Sequence, residues 1–313
     1  MPRGASSRAM SVPLGLHNCR VRVTILGFGL IGGSVARALR QRDTEATEPW
    51  RIAAWSRTPA PVEQAVRDGV VDVSAETLEA ALDGADLVLL AAPPLASLDL
   101  LDRIGGPLRN AVGDATVTDA VSVKAEVLAQ ANRLRLHFVG GHPMAGRELS
   151  GYTAALPDLY AGRPWVTVPG TEARPIDVER VQRLIAGCGA VEVSTTAEAH
   201  DAAVAAISHM PLVVSAALVE AVAGRPGEPP RLDWPLAQKL AATGWASMTR
   251  LARGEPGMGA GIAVTNAAAI AEQLREMRTV LDEWIAELEA ADGPDANRLR
   301  DHFAAARLRL EQE

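Results

Sequence analysis

The sequence is poor in cysteine, lysine and aromatic residues, and each shortage excludes a class of protein. The two cysteines, Cys19 and Cys188, lie far apart and have no partners at metal-ligand spacing. A disulfide framework or zinc knuckle is therefore not expected, and a reducing cytoplasm is predicted. With two lysines, scattered arginines, 4% aromatic residues and a net charge of −7, the chain offers no basic patch, so no nucleic-acid partner is predicted.

Long uninterrupted hydrophobic runs are also lacking. Residues 1–19 contain no apolar run long enough for a signal peptide and are predicted to form a loose N-terminal extension. Polar residues and a proline interrupt the most apolar stretch, 202–224. A buried helix is therefore predicted there rather than a membrane span, and no membrane partner is expected.

From residue 21 onward, short apolar runs alternate with amphipathic stretches, which is typical of a parallel sheet covered by helices. The predicted strands are 21–26, 51–55, 87–91, 116–118, 137–139, 165–168 and 190–193. Helices are predicted over 34–39 and 176–187. The fold class is therefore α/β, with a Rossmann-type doubly wound parallel sheet in a domain spanning residues 20–196.

After residue 196 no clear strand follows, which predicts an all-helical domain over residues 197–313. One apolar stripe marks its best helix, at Ile270, Leu274, Met277, Leu281, Ile285 and Leu288. The stripe predicts a packing surface for the first domain or for a second copy of the chain.

A glycine-rich segment, Gly27-Phe28-Gly29-Leu30-Ile31-Gly32, lies between the first predicted strand and the first predicted helix. In this context Gly27 permits a tight turn, Gly29 lets the backbone approach a pyrophosphate, and Gly32 lets the helix pack closely on the strand. Phosphate binds the N–H groups at the start of such a helix. The segment predicts an NAD(P)-binding loop.

The end of the second strand predicts which dinucleotide is held. An acidic residue there accepts from the adenosine ribose hydroxyls and repels a 2′-phosphate. This chain has Ser56 and Arg57 instead, which favours NADP over NAD because a guanidinium pairs with phosphate. An Arg57 that is simply solvated beside an unphosphorylated ribose is the alternative.

Two further segments, 118–124 and 140–146, follow the fourth and fifth strands. Because ligand-facing groups gather at the carboxyl ends of parallel strands, Ser122 and His142 are expected to meet. A histidine suits removal of a hydroxyl proton near neutral pH, and a serine hydroxyl orients the imidazole or the substrate oxygen.

Taken in order, the motifs resemble those of prephenate dehydrogenases of tyrosine biosynthesis, over residues 20–290. The motifs that carry the resemblance are Gly29-Leu30-Ile31-Gly32-Gly33-Ser34, Asp119 with Ser122-Val123-Lys124, Gly141-His142-Pro143-Met144-Ala145-Gly146, His200-Asp201, Ser208-His209-Met210-Pro211 and Thr249-Arg250-Leu251-Ala252. The resemblance implies a homodimer built through the helical domains.

The resemblance also implies a reaction: hydride leaves C4 of prephenate for the nicotinamide, His142 takes the hydroxyl proton, and carbon dioxide leaves C1 to give 4-hydroxyphenylpyruvate. Ser122 is then the second catalytic residue, and Arg250 binds a substrate carboxylate. The remaining implied contacts are Ala92, Pro93 and Asp119 to the cofactor, and His200, Asp201 and His209 to the substrate.

Two departures from the family pattern leave the substrate open. Many relatives have a histidine where this chain has Leu212, and a tryptophan where it has Gly259. Arogenate and 4-amino-4-deoxyprephenate, which share the ring geometry, are therefore alternatives. A β-hydroxyacid-type dehydrogenase is more remote, because Lys239 is the only lysine of the helical half and lacks a neighbouring asparagine. A non-catalytic NAD(P)-sensing module is the rival from another class.

The histidines do not predict a metal site. On a continuous α-helix, His200 and His209 would lie about 180° apart, whereas Asp201 and Ser208 would share one face. No bound metal is therefore expected.

Overall fold

The computed structural model describes residues 21–42, 49–147, 149–225, 227–228 and 234–311. The predicted extension 1–19, with Cys19, lies outside the described residues. The chain divides into two compact units. The first unit contains residues up to 92 together with 96–121 and 127–194, and the second contains 93–95, 122–126 and 195 onward.

The first unit is built on one eight-stranded sheet. Its strands are β1 (Arg22–Leu26), β2 (Arg51–Trp55), β3 (Val73–Ser74), β4 (Leu87–Leu90), β5 (Thr116–Asp119), β6 (Phe138–Pro143), β7 (Pro164–Pro169) and β8 (Val191–Ser194). The order β3-β2-β1-β4-β5-β6-β7-β8 confirms the predicted doubly wound sheet and contains all seven predicted strands. The two-residue strand β3 is too short to show a sequence pattern.

One strand departs from the predicted parallel arrangement, because β7 runs antiparallel to β6. Parallel neighbours need a crossover connection, usually a helix. Between β6 and β7 the only helical element that the structure describes is a single 3₁₀ turn, Tyr152–Ala154. The chain therefore returns beside β6 in the opposite direction. A helix connects β7 to β8, and these two strands run parallel.

Helices connect the strands and cover the sheet. They are α1 (Leu30–Arg42), α2 (Ala60–Arg67), α3 (Leu78–Leu82), α4 (Pro94–Gly105), α5 (Arg109–Val112), α6 (Ala125–Arg133) and α7 (Pro175–Gly187). Every residue of β4 and β5 is buried, as expected for central strands covered on both faces. The hydrophobic core lies between the sheet and its helices and includes Ile25, Val35, Leu89 and Trp165.

Among the described residues, every regular element after Ser194 is helical. The helices are α8 (Ala197–Val204), α9 (Met210–Ala223), α10 (Trp234–Leu240), α11 (Thr243–Met248), α12 (Pro256–Thr265), α13 (Ala267–Leu288) and α14 (Ala296–Leu310). Between α8 and α9 the chain forms a π-helical turn, Ala205–His209. The predicted apolar stripe lies on α13, where Ile270 is buried and Leu281 and Ile285 are exposed.

The apolar stretch predicted as a buried helix is mostly not buried within the chain. Ala197–Ala223 is long and apolar enough to cross a membrane by length and composition, which alone is weak evidence, and 22% of its most apolar window is buried. Ile207 on this stretch is 69% exposed. The prediction of burial is therefore wrong for the single chain, because Ser215 is the one buried residue of α9 and the apolar side chains around it are partly or fully exposed.

Candidate active site

The glycine loop has the geometry that a dinucleotide needs. Gly27 has a φ of +94°, and a Cβ there would lie 2.7 Å from the carbonyl oxygen of Ala91. A Cβ at Gly32 would lie 2.4 Å from the carbonyl oxygen of Gly27, so only glycine lets α1 approach β1 this closely. A Cβ at Gly29 meets no atom within 4 Å. Gly29 therefore faces open space beside the start of α1, where the first N–H groups of the helix have no partner within it.

Two side chains outside the loop fix the first turn of α1. The Tyr160 hydroxyl donates to the carbonyl of Ile31 over 2.8 Å, and the Ser34 hydroxyl accepts from the N–H of Leu156 over 3.0 Å. Leu30 and Ile31 themselves form the beginning of the helix. The start of α1 is thus fixed by contacts with the segment that carries Leu156 and Tyr160.

The carboxyl end of β2 is joined directly to this loop. The Gly27 N–H donates to the carbonyl of Trp55 over 2.9 Å. Ser56 follows at once and is half-buried, and Arg57 is exposed. The two predicted NADP-selecting residues therefore leave the sheet beside the glycine loop.

The end of β4 supplies Ala92, whose carbonyl accepts from the Ser97 hydroxyl over 3.0 Å. Pro93, the next residue, belongs to the second unit. Contacts of Ala92 and Pro93 with a cofactor remain predictions.

Asp119 ties the ends of two strands together. Its carboxylate accepts from the N–H of Val121 over 3.0 Å and from that of Gly141 over 2.9 Å. Asp119 is fully buried, and a Cβ at Gly141 would lie 2.5 Å from the Asp119 carbonyl oxygen. These contacts make Asp119 a brace that sets the backbone immediately before His142. Its predicted contact with the cofactor stays a prediction.

His142 lies near the carboxyl end of β6, opposite Val166 of β7. It is half-buried, between the buried residues Gly141 and Pro143. The histidine therefore projects from a braced strand at the same edge of the sheet as the glycine loop. A rigid strand end is a suitable support for a general base, because proton transfer requires a fixed geometry.

Ser122 belongs to the second unit, in a segment that Asp201 holds in place. The Asp201 carboxylate accepts from the N–H groups of Lys124 and Ala125, over 2.7 and 2.8 Å, at the start of α6. The Ser122 hydroxyl oxygen is buried and has no hydrogen-bond partner among the described residues. A buried hydroxyl in that state suits a ligand group.

Asp201 also pairs with His200, whose Nδ1 lies 2.7 Å from the Asp201 carboxylate. Burial alone would raise the pKa of Asp201, but the hydrogen bonds from His200, Ala125 and Lys124 outweigh burial and lower it. Asp201 is therefore an anion committed to backbone and imidazole contacts. Its side chain holds the Ser122 segment, and His200 pairs with the same carboxylate.

The π-helical turn corrects the predicted geometry of the histidines. By inserting about one extra residue, it places His209 about 20° from Asp201 and about 80° from His200, instead of about 180° from His200. His209 is buried, whereas Ser208 is exposed. The predicted shared face of Asp201 and Ser208 is therefore wrong, and His209 takes that place.

Asn266, which the sequence analysis did not single out, joins Asp201 to His209. Its Nδ2 lies 2.9 Å from the backbone carbonyl oxygen of Asp201 and 3.1 Å from Nδ1 of His209. The residue lies at the junction of α12 and α13. Its one sequence signal is an amide that follows the apolar segment of α12, and such a signal names no partner.

The turn that carries Arg250 is fastened to α9 by Ser215. The Ser215 hydroxyl donates to the carbonyl of Met248 over 2.9 Å and accepts from the N–H of Ala252 over 3.1 Å. Arg250 is exposed, whereas its neighbour Thr249 is buried. The Thr249 hydroxyl donates a hydrogen bond to the carbonyl of Trp245. Ser215 is a second positioning residue that sequence reasoning missed.

The predicted residues therefore form two sets. The first unit holds the glycine loop, Ser56, Arg57, Ala92, Asp119 and His142, and the second holds Pro93, Ser122, His200, Asp201, His209 and Arg250. Within the second unit, Asp201, His200 and His209 share one buried polar network through Asn266.

Comparison with known proteins identifies the family. Residues 35–194 match the family model for the prephenate dehydrogenase nucleotide-binding domain, and residues 196–305 match that for the prephenate dehydrogenase dimerization domain. The first match begins just after the glycine loop. The chain is 29% identical over 299 residues to a prephenate dehydrogenase of Bacillus subtilis strain 168, with 93% of this chain and 76% of that protein covered.

A prephenate dehydrogenase of Lactococcus lactis is 30% identical over 268 residues, which cover 84% of this chain and 70% of that protein. The crystal structure of Synechocystis arogenate dehydrogenase superimposes with a TM-score of 0.71 at 31% identity, over 93% of this chain and 100% of that one. These matches confirm the resemblance carried by the motifs. The chain belongs to the prephenate dehydrogenase family of NAD(P)-dependent oxidoreductases.

Proposed function

We propose that this chain catalyses the NAD(P)-dependent oxidative decarboxylation of prephenate to 4-hydroxyphenylpyruvate. One observation carries the proposal: the motif histidine, His142, projects from a strand end that Asp119 braces, on the same sheet edge as an open glycine loop. The histidine is thus held where general-base chemistry beside a dinucleotide requires it.

Each residue has one task in this reaction. His142 accepts the proton of the ring hydroxyl, and the Ser122 hydroxyl hydrogen-bonds the substrate oxygen that loses this proton. Arg250 binds a substrate carboxylate through two parallel N–H···O bonds. The nicotinamide, when bound, supplies the hydride acceptor. Loss of the ring carboxylate as carbon dioxide then makes the ring aromatic, which makes the reaction effectively irreversible.

The test is a spectrophotometric assay of NADH and NADPH formation with prephenate, arogenate and 4-amino-4-deoxyprephenate. Turnover of prephenate with the highest kcat/KM is the expected result. The reaction class is wrong if the chain binds the dinucleotide but turns over none of the three, which is the outcome for a nucleotide-sensing module.

Arogenate is the second candidate substrate, and one contact favours it. A methyl group added at Gly259 would lie 3.8 Å from Cδ2 of Leu212, so the two departures from the family pattern are neighbours. Together they place a small apolar patch where many relatives have an imidazole and an indole. A different substrate side chain is compatible with that change, and a higher kcat/KM for arogenate in the same assay would establish it.

NADP is the proposed cofactor, because Ser56 and Arg57 leave β2 beside the glycine loop. Arg57→Ala should raise the KM for NADP about tenfold, or ~1.4 kcal/mol, by removing a charged partner of the 2′-phosphate. The KM for NAD should not change. Arg51→Ala is the matched control, since Arg51 is an exposed arginine at the opposite end of the same strand. Equal turnover with NAD and NADP that Arg57→Ala leaves unaltered would refute the preference.

Arg250→Ala should raise the substrate KM about 10- to 100-fold with little change in kcat, because a bidentate carboxylate contact is lost. Arg253→Ala is the control, since Arg253 is exposed at the end of the 3₁₀ turn Leu251–Arg253, which begins directly after Arg250. Steady-state kinetics with saturating cofactor separates the two parameters. An unchanged KM in Arg250→Ala would remove the residue from substrate binding.

We also propose a homodimer in the cytoplasm, formed through the apolar stretch 202–224 and α13. In the single chain, Ile207 is 69% exposed, Leu281 is 49% exposed and Ile285 is 50% exposed. A second copy that covers these faces would remove them from water. A monomer mass in light scattering would contradict the dimer.

The proposed cytoplasmic location is supported by Cys188, which is a free thiol and therefore suits a reducing compartment.

A further inference from the structure

A buried polar network in the second unit determines which nitrogen of the His209 imidazole carries the proton. Asn266 and His209 are both nine-tenths or more buried, and so are Asp201 and His200. The groups come from α8, the π-helical turn and the start of α13. Such networks specify a unique arrangement only when each donor meets an acceptor.

The first step is the orientation of the Asn266 amide. The atom of this amide that lies 2.9 Å from the Asp201 backbone carbonyl oxygen must be the nitrogen, because a carbonyl oxygen only accepts. The amide oxygen in that position would repel it. The backbone of α8 therefore determines which way the amide points.

The second step is the tautomer of His209. The same Nδ2 lies 3.1 Å from Nδ1 of His209, and an amide nitrogen has two hydrogens, so one goes to each acceptor. Burial lowers the pKa of His209 to about 4, so the ring carries one proton at neutral pH. Nδ1 accepts, and that proton lies on Nε2.

The third step is the unused donor. Nε2 of His209 is buried and has no hydrogen-bond partner among the described residues. A buried donor without a partner destabilises the fold, so this N–H is suited to an acceptor that a ligand supplies. The π-helical turn that orients the ring is itself a feature that recurs at functional sites.

We propose that Asn266 is a positioning residue that holds His209 as its Nε2–H tautomer, so that this N–H donates to an acceptor oxygen of the bound substrate. Asn266 acts through His209 and touches no ligand itself. This inference rests on the proposed dehydrogenase function for its kinetic part and on the geometry alone for its tautomer part.

The tautomer is measured first, in the full-length wild-type protein without ligand, by ¹⁵N NMR of labelled histidines at pH 7. His209 is assigned by its disappearance in His209→Gln. The expected spectrum shows a protonated Nε2 and an unprotonated Nδ1. A protonated Nδ1 would overturn the proposal, and this result does not depend on any activity.

Asn266→Asp then reverses the polarity at nearly constant shape, since a carboxylate accepts where the amide donates. Nδ1 of His209 should become protonated, and kcat/KM should fall at least tenfold. If the variant does not fold, as judged by circular dichroism and its melting temperature, the wild-type spectrum alone decides. A folded variant with the wild-type tautomer would refute the proposal.

The background His209→Gln separates positioning from general damage. A glutamine amide donates from the position of Nε2 whatever residue 266 is, so Asn266→Asp should cost less than threefold in that background. An equal loss in both backgrounds would show a structural role only and would refute the proposal. If wild-type protein shows the expected tautomer but turns over no prephenate-like substrate, the proposed function fails while the tautomer assignment stands.

Discussion

His142→Asn should lower kcat about 10²- to 10⁴-fold, the range expected when a general base is removed. Asparagine keeps a polar group of similar shape but accepts no proton near neutral pH. The KM for substrate should change much less, because the proton is transferred in the transition state. Steady-state kinetics at pH 7 with saturating cofactor measures both.

Two controls make this result specific. Dinucleotide affinity in His142→Asn, followed by fluorescence titration, should match that of the wild type, because the glycine loop does not depend on the imidazole. His302→Asn, in exposed α14, should keep full turnover. Turnover above a tenth of the wild-type value in His142→Asn would remove the histidine from the mechanism.

Gly32→Ala and Gly29→Ala should both abolish dinucleotide binding, but for different reasons. The added methyl at Gly32 meets the Gly27 carbonyl at 2.4 Å and Ile25 Cγ2 at 2.9 Å, so α1 must move away from β1. Overpacking of this kind costs about 1–3 kcal/mol, which should appear as a lower melting temperature. At Gly29 the methyl meets nothing, so the melting temperature should not change.

The melting temperatures of the two glycine variants are measured by thermal unfolding, and their dinucleotide affinities by calorimetric titration with NADP and NAD. Loss of binding without loss of stability in Gly29→Ala would show that the open space beside Gly29 is where the pyrophosphate lies. Retained binding in Gly29→Ala would contradict the proposed nucleotide position. A melting temperature that Gly32→Ala leaves unchanged would contradict the close helix-strand contact.

Strands and loops that are marked by their own residue pattern could be predicted from the sequence. The strand β4 is a continuous apolar run, and the glycine loop directly follows the largely apolar strand β1, so the residue pattern alone located both. The direction of β7 was not predictable from its own residues. It depends on the connection before it, which has no crossover helix among the described residues, and the residue pattern of a strand does not encode its direction.

The residues that position the candidate site were also missed. Ser215 clamps the Arg250 turn, and Asn266 joins Asp201 to His209 across 65 and 57 residues of sequence. A serine or an asparagine in an apolar segment has no pattern that names its partner. The partner is decided by which helices pack together, a property of the unit rather than of a segment.

The α/β sheet with its helical second half, the glycine loop and the family follow from the amino-acid sequence alone, as do the motif residues Ser122, His142 and Arg250. These depend on short-range periodicity and on residue types that chemistry requires at fixed spacing. Three features became apparent only in the folded chain: Asp119 braces the backbone before His142, Asp201 holds the Ser122 segment, and a π-helical turn carries His209 to the side of Asp201. A helical wheel assumes one constant rotation per residue, and the inserted residue that breaks this assumption becomes visible only when the hydrogen bonds of the folded chain are known.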